Sequence, residues 1–290
     1  MIVRNLYLCI FTTAVMLSCK KEDTNGNNNN NIVAAASYNN VAYGADALQK
    51  MDVYLPAGRS KDSTKVMVLI HGGAWASGDK ADFAPFIDSL KRRLPDYAIF
   101  NINYRLSGLG ANVFPTQETD TRAAVEFIFS KRAEYLISDN FSMLGASAGA
   151  HLALLQAYKY SVPVKAKVVV DFFGPTNLND LYDNPGVVPQ STIEAIVGAT
   201  PVSNPALYFQ SSPINYATGS AACPTIILQG SADLLVNATS QSFALKNKLE
   251  LEGVPVQYVE YAGAGHGDWN TAIFSDAFNK IQAFVNLYNP

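Results

Sequence analysis

The sequence predicts an α/β domain whose twisted, mostly parallel sheet has eight strands and carries helices on both faces. Short apolar runs alternate with longer segments of helical spacing along most of the chain, which is the pattern of strands joined by crossover helices. The run 65–70 (KVMVLI) is almost continuously apolar, as expected for a strand buried on both faces. The 290 residues are 49% hydrophobic, enough to form one large core.

The strands and helices are expected in alternation. The first two strands form an opening pair, and the second alternates Met51, Val53 and Leu55 with polar neighbours, so one of its faces is expected to be buried. The predicted strands are 41–43, 50–55, 65–70, 97–103, 140–144, 166–172, 225–229 and 256–261. The predicted helices are 81–94, 117–132, 148–160, 236–252 (stopped by Gly253) and 268–287.

The segment 175–222 interrupts this alternation. It is rich in Pro, Asn, Ser and Tyr, and only short helices are predicted within it. A segment of this length is too long for a simple connector. We expect a cap-like insertion over the carboxyl ends of the strands, where open α/β sheets bind ligands. A surface excursion without a role is the alternative.

The N-terminus has the features of an export signal. Arg4 precedes an apolar run, 6–17, that is too short to span a bilayer comfortably. Ser18 and Cys19 follow, and then a polar segment that ends in five consecutive asparagines. The arrangement resembles a bacterial lipoprotein signal, which implies cleavage before Cys19 and a lipid on its thiol. An ordinary secretory signal is the alternative.

This processing divides the chain into three predicted parts: a signal peptide (1–18), a lipid-anchored flexible tether (19–37) and a folded domain (38–290). We therefore expect an exported protein anchored to a bacterial membrane, at the outer membrane or the cell surface. Because Cys9 is removed with the signal peptide and Cys19 carries lipid in this prediction, Cys223 has no disulfide partner and is expected to be a small core residue.

Charge and residue spacing exclude several function classes. The formal net charge is −3 and no long basic run is present, so nucleic acid is not an expected partner. No cluster of His, Cys and Asp has the spacing of a zinc site, and no glycine pattern fits a nucleotide site. Neither a metal nor an organic cofactor is therefore predicted.

Ser147 is the candidate nucleophile. It lies in the G-x-S-x-G run 145–149 (GASAG), between a predicted strand and a predicted helix. A serine in this position can occupy a sharp, strained strand-to-helix turn that exposes its hydroxyl. The flanking glycines are expected because a side chain would collide with the neighbouring strand or helix.

A nucleophilic serine needs a base and an orienting acid. His266 comes directly after the last predicted strand, in a glycine-rich loop, and is the candidate base. Asp233 follows the strand 225–229 and is the candidate acid, since a carboxylate there can bond one imidazole nitrogen. Asp171 also ends a strand and is the main rival. A turn or helix N-cap role for Asp233 is the alternative.

An anion-stabilising pocket is expected after the third predicted strand. The run 71–75 (HGGAW) contains small residues that leave backbone N–H groups free to face a cleft. Gly72, Gly73 and Ala74, together with the N–H of Ala148, are the candidate donors for the oxyanion of a tetrahedral intermediate.

The other two histidines have structural explanations. His71 is expected to brace the 71–75 loop, because a second base there would be redundant. His151 lies one helical turn beyond Ser147 and is expected to pack within the helix rather than bind a ligand.

The motifs together resemble the α/β-hydrolase esterases, and most closely the carboxylesterases with an HGG-type oxyanion loop, which include bifunctional feruloyl and acetyl-xylan esterases. The resemblance covers about residues 40–288, and the chain order Ser, Asp, His is that of α/β-hydrolases. It is carried by HGGAW (71–75), GDK (78–80), NYRL (103–106), FP (114–115), GASAG with HL (151–152), Gly230, Asp233, Gly265 and His266.

The resemblance implies the α/β-hydrolase fold, with Ser147 as nucleophile, Asp233 and His266 as its partners, and backbone donors at Gly73, Ala74 and Ala148. Ala74 stands where many relatives have a third glycine. Its methyl group is expected to narrow the cleft slightly, but its N–H is retained.

The expected function is that of a serine esterase that works through an acyl-enzyme and needs no cofactor. Its expected substrates are small-molecule or polysaccharide esters, with acetyl or feruloyl esters of plant polysaccharide suggested by the export signal and the family resemblance. An amidase or peptidase, such as a kynurenine-formamidase-like hydrolase, is one alternative. A binding protein on a hydrolase scaffold is the other, which the presence of all three triad residues disfavours.

Overall fold

Eight strands form one sheet in the computed structural model, which describes residues 32–108 and 110–290. The strands are β1 (Ala36–Ala42), β2 (Lys50–Leu55), β3 (Lys65–Ile70), β4 (Tyr97–Ile102), β5 (Phe141–Ala146), β6 (Val168–Phe172), β7 (Thr225–Gly230) and β8 (Val256–Tyr261). Their order across the sheet is β1-β2-β4-β3-β5-β6-β7-β8. Strand β2 pairs antiparallel with β1 and β4, and the pairs from β4 across to β8 are parallel. The predicted eight-stranded, mostly parallel sheet is confirmed.

The helices are α1 (Ala84–Arg93), α2 (Thr116–Ser130), α3 (Arg132–Tyr135), α4 (Ala148–Lys159), α5 (Leu178–Asp183), α6 (Gln190–Val197), α7 (Pro205–Gln210), α8 (Ala244–Leu251) and α9 (Thr271–Tyr288). Lys80–Phe83 and Pro213–Tyr216 form 3₁₀ turns, and Ala238–Phe243 forms a π-helical segment. In the described part of the chain, no helix combines the length and the apolarity that crossing a bilayer requires.

Alternate side chains of β3 show that both faces of the sheet are covered. Val66, Val68 and Ile70 lie in one core together with apolar residues of α2, α4 and α8. Met67 and Leu69 lie in a second core with residues of α1 and α9. Since successive side chains of a strand point to opposite faces, the sheet is sandwiched between two layers of helices, as predicted.

Several element boundaries differ from the predictions, including those of the last helix, the helix after β7 and strand β1. The last helix begins at Thr271 rather than 268, because the side chain of Asn270 caps it. The predicted helix 236–252 is a π-helical segment followed by α8. Strand β1 is longer than 41–43 and pairs with β2 through its backbone, although most of its residues are exposed. An exposed edge strand has little hydrophobic periodicity, and its length is therefore hidden in the sequence.

The N-terminal predictions fall on residues outside the described ranges. These are the signal peptide 1–18 and the lipid site at Cys19. Strand β1 begins at Ala36, inside the segment 19–37 that was predicted as a tether. Cys223 is buried just before β7 and is a free thiol, which confirms the prediction of a core residue.

The segment 175–222, all of which the structure describes, contains α5, α6 and α7 but no strand. Its first turn is tied to the π-helical segment through Gln241, a buried side chain. The side-chain oxygen Oε1 of Gln241 accepts the N–H groups of Thr176 and Asn177, each at 2.8 Å, and its Nε2 donates to Oδ2 of Asp180 at 2.7 Å. These bonds attach the start of the insertion to the helical segment that follows β7.

Candidate active site

Ser147 occupies the turn between β5 and α4, with φ 54° and ψ −122°. A residue other than glycine in this region of φ is strained, and such outliers concentrate at functional sites. The two flanking glycines allow the turn. A Cβ on Gly145 would lie 2.2 Å from the carbonyl oxygen of Gly149, and a Cβ on Gly149 would lie 2.0 Å from that of Ile70. The predicted collisions with helix and strand are thus present.

The structure brings the three predicted side chains together. The hydroxyl of Ser147 lies 2.8 Å from Nε2 of His266, and Nδ1 of His266 lies 2.7 Å from Oδ2 of Asp233. Ser147, Asp233 and His266 follow β5, β7 and β8, whose carboxyl ends meet at one edge of the sheet. The Asp233 side chain is fully buried, whereas that of His266 is 14% exposed.

The hydrogen bonds of His266 determine its tautomer. A carboxylate only accepts, so Nδ1 of His266 carries the proton donated to Asp233, and Nε2 has a free lone pair. Ser147 donates its hydroxyl proton to that lone pair. This is the arrangement in which an imidazole can remove a proton from a nucleophile while the carboxylate stabilises the resulting imidazolium.

Asp233 is held as a carboxylate by several donors. Burial alone would raise the pKa of Asp233, but the bond from His266 and the N–H groups of Val236 and Leu235 outweigh it and lower that pKa below its ordinary value. These two N–H groups donate to Oδ1 at 2.9 and 2.8 Å. The turn contacts of Asp233 and its bond to His266 therefore coexist in one carboxylate.

Gln229 is a supporting residue that the sequence analysis missed. Its amide nitrogen donates to Oδ2 of Asp233 at 3.0 Å, and its oxygen accepts the Ser242 hydroxyl at 2.6 Å. Gln229 is fully buried at the end of β7. The sequence signal for Gln229 was a polar residue at the end of the apolar run TIIL. A buried amide in this position needs hydrogen-bond partners, which would have suggested a supporting role.

The 71–75 loop fixes the carbonyl group of Gly72 by two hydrogen bonds. This oxygen accepts Nδ1–H of His71 at 2.7 Å and the Tyr104 hydroxyl at 3.2 Å. The C=O and N–H of a trans peptide point in opposite directions, so these bonds turn the N–H of Gly73 away from His71 and Tyr104. Burial lowers the pKa of His71, and its ring is stacked on Tyr104. His71 thus braces the loop, as predicted.

The carbonyl group of Gly73 is fixed in the same way. It accepts the N–H and the hydroxyl of Ser77, each at 2.9 Å, which turns the N–H of Ala74 away from Ser77. Ala148 is the first residue of α4, where helix N–H groups lack intrahelical partners and the helix dipole favours negative charge. The Gly73 and Ala74 amides beside the cleft and the start of α4 can together receive an oxyanion.

A cleft of about 370 Å³ adjoins the Ser147 hydroxyl. Gly72, Gly73, Ala74 and Trp75 form one wall, beside Ser147 and His266. The insertion and the loop after β7 supply an apolar part of the lining, formed by Leu181, Val188, Ile193, Ile196, Leu235 and Val236. The insertion 175–222 therefore completes the cleft rather than forming a detached excursion.

The rival acid Asp171 does not contact His266. Its side chain is fully buried in β6, and Oδ1 accepts the N–H of Gly174 at 2.7 Å. Burial raises the pKa of Asp171 to about 7.

His151 is buried as well. Its Nδ1 accepts the indole N–H of Trp75 at 3.2 Å, and its Nε2 donates to the carbonyl oxygen of Ser211 at 2.7 Å. Burial lowers the pKa of His151 to about 4, which matches the neutral ring that these two bonds require. His151 packs within the fold, as predicted, and joins the 71–75 loop to the insertion.

Comparisons with known sequences identify a family and two relatives. A family model described as BD-FAE matches residues 51–249. Esterase LipC of Mycobacterium tuberculosis is 23% identical over 240 residues, which covers 78% of this chain and 59% of that protein. Esterase LipQ of the same bacterium is 25% identical over 213 residues, covering 69% of this chain and 49% of that protein. The chain thus spans less than two thirds of either relative.

Solved structures share the fold. A structure titled as a truncated carbohydrate esterase from gut microbiota superimposes with a TM-score of 0.73 at 24% identity, covering 88% of this chain and 98% of that one. A bifunctional GH43-CE protein of Bacteroides eggerthii gives 0.74 at 26% identity, covering 88% and 38%. Esterase B of Lactobacillus rhamnosis gives 0.72 at 19% identity, covering 88% and 87%. The predicted α/β-hydrolase fold is confirmed.

Proposed function

Because the chain belongs to the BD-FAE family, we propose that it is a serine esterase that hydrolyses carboxylic esters through an acyl-enzyme. The observation that carries the proposal is the hydrogen-bonded series from Ser147 through His266 to Asp233 beside an apolar cleft. The names of the two curated relatives, both esterases, support it.

The first half-reaction forms the acyl-enzyme. Oγ of Ser147 attacks the ester carbonyl carbon while Nε2 of His266 takes the hydroxyl proton, and Asp233 stabilises the imidazolium. The carbonyl oxygen becomes an oxyanion that accepts the N–H groups of Gly73, Ala74 and Ala148. The C–O bond to the alcohol then breaks, and His266 gives its proton to the leaving oxygen.

The second half-reaction releases the acid. Water takes the place of the alcohol, His266 removes one of its protons, and the hydroxide oxygen attacks the acyl carbon. Collapse of the second tetrahedral intermediate breaks the bond to Oγ of Ser147, which recovers its proton from His266. The free acid leaves and the starting state is restored.

The direct test is covalent labelling of Ser147 by a fluorophosphonate probe, combined with rates on matched esters and amides. We expect the wild type to be labelled and to hydrolyse the ester faster, and Ser147→Ala to lose both properties. Ser63→Ala, which alters an exposed serine in the loop before β3, is the matched control. Folded wild-type protein that resists the probe would favour a binding role, and faster amide cleavage would favour an amidase.

For the substrate, we propose acetyl or feruloyl esters of plant polysaccharide. Membership of the BD-FAE family supports this proposal, as does the likeness to structures whose titles name a carbohydrate esterase and a GH43-CE protein. The measurement is release of acetate and ferulate from such polysaccharide by wild type and Ser147→Ala. Activity restricted to short soluble esters would contradict it.

We further propose that the protein is exported and anchored to a bacterial membrane by lipid on Cys19. The support is the sequence of an apolar run, a small residue and a cysteine, followed by a polar tract. Expression of the full chain with a radiolabelled fatty acid should label the wild type in the membrane fraction. Cys19→Ser should be unlabelled, whereas Cys223→Ser should behave as the wild type. A soluble, unlabelled wild-type protein would contradict the anchor.

A further inference from the structure

A second apolar cavity lies directly beside the reaction cleft. It measures about 160 Å³ and is lined mainly by phenyl rings, those of Phe83, Phe86, Phe172, Phe173, Phe274 and Phe278. We call it the phenyl cavity. A protein cavity of about 150 Å³ with apolar walls is large enough to hold a benzene molecule, so the phenyl cavity has room for one ring or a short alkyl chain.

Three residues line both the phenyl cavity and the reaction cleft: Gly72, Ala146 and Phe173. Glycine has no side chain, and alanine has only a methyl group. The ring of Phe173 is therefore the one large side chain among the residues that the two spaces share.

The ring of Phe173 is held firmly in this position. Its centroid lies 4.6 Å from that of His266 and 5.2 Å from that of Trp269. The backbone N–H of Phe173 donates to the carbonyl oxygen of Leu228 at 2.9 Å, and its φ is +44°. A bulky residue in this region of φ is a genuine outlier, which persists only where the surroundings enforce it.

We propose that Phe173 is a specificity-determining wall: it limits the length of the ester group that lies beside His266, and the phenyl cavity behind it becomes a subsite when the ring is removed. The proposal rests on the proposed esterase function. We therefore expect the wild type to prefer esters whose group beside His266 is short.

The test compares 4-nitrophenyl acetate with 4-nitrophenyl octanoate, and methyl with hexyl acetate, so that both sides of the ester are covered. In Phe173→Ala we expect the ratio of kcat/KM for the long over the short ester to rise about tenfold in at least one series, since a pocket that gains several methylenes of depth discriminates on this scale. Phe173→Trp should lower the same ratio.

A second substitution tests whether the space that Phe173→Ala opens to the substrate is the phenyl cavity. Phe86 lines the phenyl cavity but not the cleft. Phe86→Trp, added to Phe173→Ala, should fill the cavity and return the ratio towards the wild-type value. Phe173→Gly is the alternative to Phe173→Ala if the latter folds poorly, because glycine adopts a positive φ without strain.

The ratio of kcat/KM for long over short esters distinguishes two roles of Phe173, a wall that limits ester length and a support that positions His266. If the ring only holds the imidazole, the rates for short and long esters fall together and their ratio is unchanged in both Phe173→Ala and Phe173→Gly, which would overturn the proposal. Failure of the proposed function is distinguishable, because the wild type would then hydrolyse neither ester and resist the fluorophosphonate probe.

Discussion

Two histidine–aspartate sets lie near the carboxyl ends of the strands, and they are built in opposite ways. In the rim pair, His266 and Asp233 bond directly to each other beside the cleft. In the buried pair, His151 and Asp171 are both fully enclosed, and each bonds to other groups: Trp75 and a backbone carbonyl for the histidine, a backbone N–H for the aspartate.

The difference shows that the balance between burial and hydrogen bonding sets the pKa of these groups. Donors around Asp233 lower its pKa despite burial, so the carboxylate is charged when the imidazole needs it. Asp171 receives one N–H and is otherwise desolvated, which raises its pKa to about 7. Burial lowers the pKa of His151 to about 4. The rim pair is suited to proton transfer, whereas burial of the second pair favours the neutral form of each group.

The largest expected effect separates the two aspartates. Asp233→Asn keeps the shape of the side chain but removes its charge. With its oxygen on the N–H groups of Leu235 and Val236, its NH2 group faces Nδ1 of His266 and favours the wrong tautomer, so we expect kcat to fall roughly 10⁴-fold, as for the equivalent change in other triads. Asp171→Asn can still accept the N–H of Gly174 and should change kcat less than tenfold. The measurement is steady-state hydrolysis of one ester by both variants.

Circular dichroism and thermal unfolding would establish that both aspartate variants are folded. Equal losses of activity in two folded proteins would contradict the distinction drawn here, since Asp171 would then act on the reaction as strongly as Asp233.

The sequence predicted the sheet and the triad because each has a local signature. Continuous apolar runs such as 65–70 mark buried strands, and Ser147, Asp233 and His266 each follow one, so their convergence follows from the geometry of parallel strands. The features that were missed depend on contacts between distant segments. Gln229 donates a hydrogen bond to Asp233 only once β7 and the loop after it have folded. The phenyl cavity is lined by residues of both the first and the last helix. The predicted range of the exposed edge strand β1 was too short, because pairing through the backbone leaves no pattern in the side chains.

The second-largest effect concerns the loop that connects the two pairs. Its Trp75 bonds to His151, while Gly73 and Ala74 face the cleft. A Cβ on Gly73 would lie 2.2 Å from the backbone oxygen of Ser77, and its φ is +104°. Gly73→Ala must therefore displace the loop, and we expect kcat to fall about 10²–10³-fold, the usual cost of losing one oxyanion donor.

Gly253→Ala is the matched control for this loop variant. Gly253 also has a positive φ, +68°, but nothing lies within 4 Å of an added Cβ, and it follows α8. Gly253→Ala therefore introduces the same kind of positive-φ strain as Gly73→Ala, but its new Cβ collides with no other group. Comparable losses of kcat in the two variants would mean that global destabilisation, and not the position of the loop amides, reduces the rate.

The smallest effect is a pH dependence of stability that belongs to His151. The pKa of His151 is about 4 in the folded protein, against an ordinary value of 6.5, so the folded state favours the neutral ring. Its contribution to the free energy of unfolding is fully present above pH 6.5 and is lost as the pH falls from 6.5 to about 4. The total amounts to about 3 kcal/mol.

The variant His151→Gln tests this contribution, because glutamine cannot titrate. Its stability deficit relative to the wild type, measured by urea unfolding at pH 7, 6, 5 and 4, should shrink steadily towards low pH. The contributions of Asp171 and Asp233 are present in both proteins and cancel in this difference. Parallel stability curves would show that His151 is solvated or charged in the folded protein, and the buried pair would then resemble the rim pair more closely than its hydrogen bonds indicate.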